Sequence, residues 1–254
     1  MKRFHIITAI FVGASILVIS IPHLEAIRLW LLIALLFIYA SLLVYGASQI
    51  NSRFFLSAFC QGDSASGKVA ITFDDGPSKE RSQEILELLQ KYDCKASFFL
   101  IGSRAEARPE LVAMMVRNGH LLGNHSYSHS NFFPFYRGAR IQKELEKTNR
   151  ILEAAGAGPI RFFRPPFGVT NPNVAKGAKA SGMEVAGWSI RSFDTRKQAA
   201  EKVVTRILNR MGGGDVILLH ETSGHILEIL DMLLPAIRKA GLSCVRLDQM
   251  FDPN

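Results

Sequence analysis

Long uninterrupted apolar stretches occupy the first fifth of the chain. Residues 4–20 and 29–47 are almost wholly apolar and uncharged, and the segment 21–28 between them carries Pro22 and charged residues. Each stretch is close to the ~20 residues that a helix needs to cross a ~30 Å hydrocarbon core. The pattern predicts a membrane helical hairpin within residues 1–50. A cleaved signal peptide followed by one anchor, or two buried globular helices, are the alternatives.

Beyond a short polar linker at residues 51–67, strand-like runs alternate with amphipathic helical patterns. The strand-like runs are residues 69–73, 96–101, 121–122, 161–163, 183–190, 216–219 and 244–245. Such alternation predicts right-handed βαβ units around a parallel sheet. We therefore predict one α/β domain over residues 68–254. Both a closed barrel of about seven strands and an open doubly wound sheet fit this alternation, and the number of units slightly favours the barrel.

Side chains capable of chemistry follow the predicted strands. They are Asp74, Asp75, His125, His129, Arg164, Asp194 and His220. The carboxyl ends of barrel strands meet at one face, where barrel enzymes place their sites. We therefore expect residues spread over nearly 150 positions to converge in space.

Charge and cysteine content narrow the classes of partner. The net charge is +8, but no run of five basic residues and no nucleic-acid-binding motif is present. We therefore expect no nucleic-acid partner. The net positive charge is better explained by contact with lipid headgroups or with an acidic wall polymer. The three cysteines lack metal-ligand spacing and are expected to be structural.

Two motifs predict a metal site. Asp74 and Asp75 stand side by side before a Gly-Pro turn, and a nearby cation would keep both ionised. His125 and His129 share one face if they lie on a helical turn, and they could bind one metal as neutral imidazoles. With a carboxylate they form a set that leaves positions open for water and substrate. Taken one at a time, the two motifs would also be explained by a plain acidic turn and by two solvated or core histidines.

Two further motifs suggest catalytic groups. Arg164 begins the stiff segment Arg-Pro-Pro-Phe-Gly, and it could pair with a catalytic carboxylate. His220 ends an apolar strand, where a general acid for a leaving amine would lie. A structural loop with a surface arginine and a satisfied core histidine are the alternatives. Asp194 also follows a predicted strand, in a segment crowded with acidic and basic residues.

The motifs TFDDGP, HSYSH, RPPFG and LLH resemble those of the polysaccharide deacetylase family, which has the NodB homology domain and is also called carbohydrate esterase family 4. The resemblance covers about residues 67–250 and implies a distorted (β/α) barrel. It implies a divalent ion, zinc or alternatively Co, Mn or Ni, held by Asp75, His125 and His129. It also implies these roles: Asp74 as base, Arg164 as its partner, His220 as general acid, Asp194 as the partner of His220, the Phe167 N–H as oxyanion donor, and Leu218 in the acetyl-methyl pocket.

The resemblance implies hydrolysis of N-acetyl groups on a peptidoglycan- or chitin-like glycan, with release of acetate. Alternatives are an O-acetyl esterase, a small-molecule amidase, or an inactive membrane-tethered glycan-binding protein. Phe167 replaces a frequent family tyrosine, and Asp194-Thr195 replaces an Asp-Trp pair, which changes the expected acetate pocket. We expect an integral membrane protein with an extracytoplasmic catalytic domain, although Lys2 and Arg3 with two spans would favour the cytoplasm.

Overall fold

The structure is a computed structural model that describes residues 2–251. The outer limits of the predicted regions 1–50 and 68–254 therefore lie outside the described residues. The helices are α1 (Lys2–Ser20), α2 (Arg28–Ser48), α3 (Ser82–Lys91), α4 (Gly102–Ala107), α5 (Pro109–Arg117), α6 (Gly138–Ala154), α7 (Pro172–Ala180), α8 (Ala200–Leu208), α9 (Ile226–Lys239) and α10 (Leu247–Phe251).

The strands are β1 (Ala58–Phe59), β2 (Lys68–Gly76), β3 (Ser97–Leu100), β4 (Leu121–Asn124), β5 (Phe162–Phe163), β6 (Glu184–Ala186), β7 (Ile190–Arg191), β8 (Val216–His220) and β9 (Ser243–Cys244). They form one parallel sheet in the order β1-β6-β5-β4-β3-β2-β8-β7, with β9 paired to β2. In this described part of the chain the edge strands β1 and β7 do not pair, so the sheet is an open, distorted barrel. The predicted α/β barrel is confirmed.

Two features of the sheet differ from the predicted strands. The predicted strand at residues 183–190 is two strands, and β6 and β7 lie at opposite ends of the sheet order. Residues 187–189 connect the two strands. The Gly187 N–H donates to the Phe59 carbonyl oxygen of β1, whereas the Ser189 N–H donates to the Val216 carbonyl oxygen of β8. The sequence pattern also misses β1, which lies inside residues 51–67 and pairs with β6. An apolar alternating run indicates extended backbone but does not specify which strand it joins.

The largest core cluster lies between the sheet and helices α3, α5, α8 and α9. It contains Phe73 of β2, Leu89 of α3, Ile207 of α8 and Leu233 of α9, all fully buried. Full burial of one such side chain is worth about 1.5–3 kcal/mol before conformational entropy is subtracted. This core fixes the central strands β2 and β8, whose pairing sets Asp74 opposite His220.

Helices α1 and α2 are both long and apolar enough to cross a membrane, a test that a signal sequence also passes. They pack through a stacked pair of rings, Phe11 and Tyr39, whose centroids are 4.4 Å apart. Most of their surface is exposed, including Trp30 at 70% and Phe37 at 72%. Such exposure does not fit two buried globular helices, and it leaves an apolar surface suited to lipid.

Candidate active site and metal centre

The end of β2 positions the two adjacent aspartates differently. Asp74 is 4% exposed, whereas Asp75 is only partly buried. Asp75 has a φ of 68°, and the pairing with β3 shifts register between Phe73 and Gly76. The left-handed backbone at a non-glycine residue is uncommon and occurs often at functional sites. The irregular strand end therefore separates the surroundings of two neighbouring carboxylates.

Asp75 lies with both histidines of the HSYSH motif. Its Oδ1 is 3.3 Å from Nε2 of His129 and 3.6 Å from Nε2 of His125. One ligand atom from each residue lies within 4.8 Å of the others. Although Oδ1 of Asp75 is buried, it accepts no hydrogen bond from the described residues. An unpartnered buried acceptor beside two imidazoles fits a divalent transition ion.

Burial keeps the histidine pair in the form that binds metal. It lowers the pKa of His125 to about 3 and lowers the pKa of His129 below its usual value. Both imidazoles are therefore neutral near pH 7, as a metal ligand must be. The Nδ1 of His125 lies 2.7 Å from the carbonyl oxygen of Arg164. A proton on Nδ1 that bonds to this carbonyl leaves the Nε2 lone pair directed at Asp75.

The backbone between the two histidines is a loop and not a helical turn. Ser126 and His129 have φ values of 63° and 45°. Side chains hold this shape, because Asn124 accepts from the Ser126 N–H at 2.8 Å and Glu144 accepts from the next two N–H groups. Local polar bonds to the backbone compete with helix formation. The two imidazoles still meet, through a different backbone path.

Arg164 is fully buried and makes polar contacts that fix Asp74. Its Nη1 donates to Oδ1 of Asp74 at 2.7 Å and to the Thr72 hydroxyl at 2.8 Å. Its Nη2 donates to the carbonyl oxygen of Gly187 at 2.7 Å, and its guanidinium lies 4.0 Å from the ring centre of Phe99. A buried arginine with these partners is a rigid, permanently charged support for a carboxylate. The alternative of a surface arginine is therefore wrong.

His220 pairs with Asp194. The Oδ1 of Asp194 is 2.9 Å from Nδ1 of His220, and Oδ2 accepts the His220 backbone N–H at 2.8 Å. The Ser192 hydroxyl donates to the same carboxylate at 2.8 Å. Burial disfavours the charged imidazole, but the hydrogen bond and charge of Asp194, together with the charges of Asp74 and Asp75, outweigh it and raise the pKa of His220. The pair can hold a proton on Nδ1 and offer another from Nε2.

Phe167 and Leu218 lie near the two histidines His129 and His220, respectively. Phe167 has a φ of 61° and is 46% exposed, and its ring centre is 4.9 Å from that of His129. Leu218 is buried in β8, opposite Thr72 of β2 and two residues before His220. Side chains two apart on a strand share a face. Leu218 therefore points to the same side of the sheet as His220.

Trp188 also adjoins the site, although its sequence position gave no reason to place it there. A Cβ on Gly168 would lie 2.3 Å from its indole, so the ring covers the loop after β5. The ring is also 5.7 Å from the guanidinium of Arg164. Trp188 therefore supplies an indole at this edge from the crossing between β6 and β7.

Glu221, directly after His220, is a second neighbour that the sequence analysis missed. It is fully buried, and its Oε2 accepts from the Ser78 N–H at 3.2 Å and from the Ser82 hydroxyl. A Cβ at Gly76 would lie 1.6 Å from its Oε1, so only glycine fits beside it. A charged residue just after an apolar strand was the available signal. Glu221 connects the end of β8 to the turn after β2.

An open parallel barrel with two imidazoles, one carboxylate and two separate charge pairs at one edge has the architecture of a metal-dependent hydrolase. The chain belongs to the polysaccharide deacetylase family. The family model described as "Polysaccharide deacetylase" matches residues 61–186. A peptidoglycan-N-acetylglucosamine deacetylase of Bacillus cereus is 34% identical over 188 residues, which is 72% of this chain and 68% of the relative.

Solved structures agree with this assignment. The Bc1960 peptidoglycan N-acetylglucosamine deacetylase has a TM-score of 0.73 and 31% identity, over 77% of this chain and 92% of that one. BA3943 of Bacillus anthracis, described as a pseudoenzyme of carbohydrate esterase family 4, has a TM-score of 0.72 and 28% identity over 77% and 69% of the two chains. Because the same fold also occurs in a pseudoenzyme, the fold alone does not indicate activity, which depends on the side chains of the site.

Proposed function

We propose that this chain is a divalent-metal-dependent N-deacetylase of an amino-sugar polymer such as peptidoglycan or chitin. The observation that carries the proposal is the meeting of Asp75, His125 and His129 beside the pair formed by Asp74 and Arg164. The relatives named as peptidoglycan deacetylases support the substrate class. The reaction consumes water and an acetamide and yields acetate and a free amine.

The metal-binding residues in this proposal are Asp75, His125 and His129. A divalent ion held there would act as a Lewis acid that makes the acetyl carbonyl more electrophilic. Two imidazoles and a carboxylate suit zinc, and they also accept cobalt, manganese or nickel. Zinc is our proposal because its preference for nitrogen and oxygen ligands and its open catalytic position match this set.

The protein groups perform the proton transfers. Asp74, held by Arg164, takes a proton from the attacking water, and the Phe167 N–H donates to the oxygen that gains charge. His220, held by Asp194, delivers a proton to the departing amine nitrogen. Leu218 lines the space for the acetyl methyl group. Arg164 and Asp194 are positioning residues that act through Asp74 and His220.

We further propose that α1 and α2 anchor the protein in a membrane, with the catalytic domain on the extracytoplasmic side. Their exposed apolar surface and their packing against each other support an anchor over a cleaved signal sequence. A wall polymer as substrate supports the extracytoplasmic side. Reporter fusions at the C-terminus would distinguish the two sides of the membrane.

Asp74→Asn tests the division of work between the two aspartates. We expect the purified full-length variant to bind zinc as the parent does but to lose about 10²–10⁴-fold in acetate release from chitooligosaccharide, the range for a lost general base. Asp75→Asn is the matched control and should lose zinc as well as activity. Metal content by mass spectrometry and acetate by enzymatic assay are the measurements.

The outcomes separate the alternatives. Loss of zinc from Asp74→Asn would contradict the assigned roles, and acetate released only from O-acetylated glycans would make the protein an esterase. A parent protein that binds zinc but releases no acetate from either class of glycan would be an inactive glycan-binding protein.

A further inference from the structure

Large exposed apolar side chains are scarce among the described residues outside the hairpin, and most of them lie on two loops that a hydrogen bond joins. Among described residues after Ser48, those more than about a third exposed are Phe132 at 71%, Phe135 at 80%, Phe167 at 46% and Leu208 at 36%. The three phenylalanines lie on two loops at the active-site edge, and we call them the aromatic rim. Because soluble surfaces rarely cluster such side chains, the aromatic rim indicates a contact surface.

The two loops of the aromatic rim are fastened to the end of the membrane hairpin. Thr170 donates its hydroxyl to the Gly46 carbonyl oxygen and its N–H to that of Ala47, both at 3.0 Å. Asn171 then donates from its side chain to the Pro134 carbonyl oxygen at 2.6 Å. These bonds hold the aromatic rim beside the last turn of α2. That turn is where a helix of this length leaves the hydrocarbon region.

Basic residues accompany this surface. Arg137 and Arg140 are exposed just after Phe135, and the guanidinium of Arg140 lies 3.5 Å from the ring centre of Tyr136. At the same end of the hairpin, Arg3 donates to the Ser52 carbonyl oxygen at 2.6 Å. Phenylalanine beside arginine is the composition of surfaces that lie in the headgroup region and attract anionic lipid.

A sugar-stacking platform is the competing explanation for exposed rings. A platform requires no connection to α2, whereas the bonds of Thr170 and Asn171 hold this surface beside the membrane span. The contact therefore favours lipid as the occupant. The ring of Phe167 in turn packs on His129, so a metal ligand lies directly behind the aromatic rim.

We propose that Phe132 and Phe135 insert into the headgroup region of the bilayer that α2 spans, which sets the metal site at the membrane surface. The inference rests on the proposed deacetylase function and membrane anchor. It narrows the substrate to an N-acetylated glycan held close to the bilayer, such as one attached to a lipid chain.

Lipid contact can be measured without reference to activity. The chain has two tryptophans, Trp30 and Trp188, so W30F leaves one indole in the catalytic domain. In full-length W30F/F135W reconstituted in nanodiscs, brominated phospholipid should quench most of the added emission. The W30F parent is the matched control and should change little. An added emission that iodide quenches and brominated lipid leaves unchanged would overturn the proposal.

Activity in proteoliposomes gives a second test. We expect F132S/F135S to deacetylate chitobiose carried on an alkyl chain in the same vesicle about tenfold more slowly, and to act on soluble chitooligosaccharide like the parent. F132L/F135L should retain most activity, because leucine also partitions into the interface but lacks an aromatic face for a sugar.

Equal losses on both substrates in the serine and leucine variants would make the aromatic rim a sugar platform and overturn the lipid assignment. A parent that acts on neither substrate would contradict the proposed function instead. The quenching experiment measures lipid contact directly, so its result does not depend on whether the protein is active.

Discussion

Two carboxylates of the site have opposite kinds of partner. Asp74 accepts from the permanently charged guanidinium of Arg164, whereas Asp194 contacts the titratable imidazole of His220. In the proposed mechanism, the group that accepts a proton is thus held by a partner that never releases one. A group that must deliver a proton is held by an anion that favours its charged form. This arrangement supports separate base and acid roles at one strand edge.

Asp194→Asn should shift the pH dependence of the reaction. The Asp194 carboxylate raises the pKa of His220, so its neutral replacement lowers that pKa. A general acid acts while protonated, and the alkaline limb of kcat/KM should therefore move to lower pH. The measurement is the pH–rate profile on soluble chitooligosaccharide. Ser192→Ala keeps the Asp194 carboxylate and serves as the control. An alkaline limb that stays in place in Asp194→Asn would contradict the role of His220 as the general acid.

Sequence patterns predicted which side chains meet at this edge better than they predicted the backbone geometry. The strand ends are set by apolar runs, so the positions of Asp74 and His220 at one edge were predictable. The loop at residues 125–129 was not, because its left-handed residues depend on bonds from Asn124 and from Glu144 of α6. Trp188 was also missed, since its place depends on the crossing between β6 and β7. Contacts from distant elements decide such details.

At the scale of elements, Glu221 joins β8 to the turn after β2. Its backbone N–H bonds to the Asp74 carbonyl oxygen at 3.1 Å, and its carboxyl group accepts from Ser78 and Ser82. Burial raises the pKa of Glu221 from 4.5 to about 7. The turn after β2 is therefore held by the buried carboxyl group of Glu221, which can be protonated near neutral pH.

Glu221→Gln should remove a pH dependence of stability. The folded pKa of about 7 exceeds the unfolded value of 4.5, so the folded state holds a proton that the unfolded state has released. The free energy of unfolding should therefore fall by about 3 kcal/mol as pH rises between these values. Chemical denaturation of metal-loaded parent and variant from pH 5 to 8 measures the difference. Parallel curves for the two proteins would contradict the assignment.

At the scale of the whole molecule, the hairpin and the catalytic domain share a polar contact. The Thr170 hydroxyl reaches the Gly46 carbonyl oxygen across 124 positions of sequence. The sequence predicted the hairpin and the barrel as separate regions, because neither pattern carries information on how they meet. Their contact follows from tertiary packing, in which Gly46 lies against the ring of Phe54.

Gly46→Leu should loosen this contact. A Cβ at Gly46 would lie 2.5 Å from the Phe54 ring, so a larger side chain must displace the last turn of α2, whose Gly46 carbonyl oxygen accepts the Thr170 hydroxyl. Overpacking of this kind costs about 1–3 kcal/mol, and the N–H of Thr170 should exchange with deuterium about tenfold faster in nanodiscs. Gly13→Leu is the matched control, since a Cβ there has no neighbour within 4 Å. Equal protection of the peptide around Thr170 in both variants would show that the catalytic domain does not depend on this contact for its position beside the span.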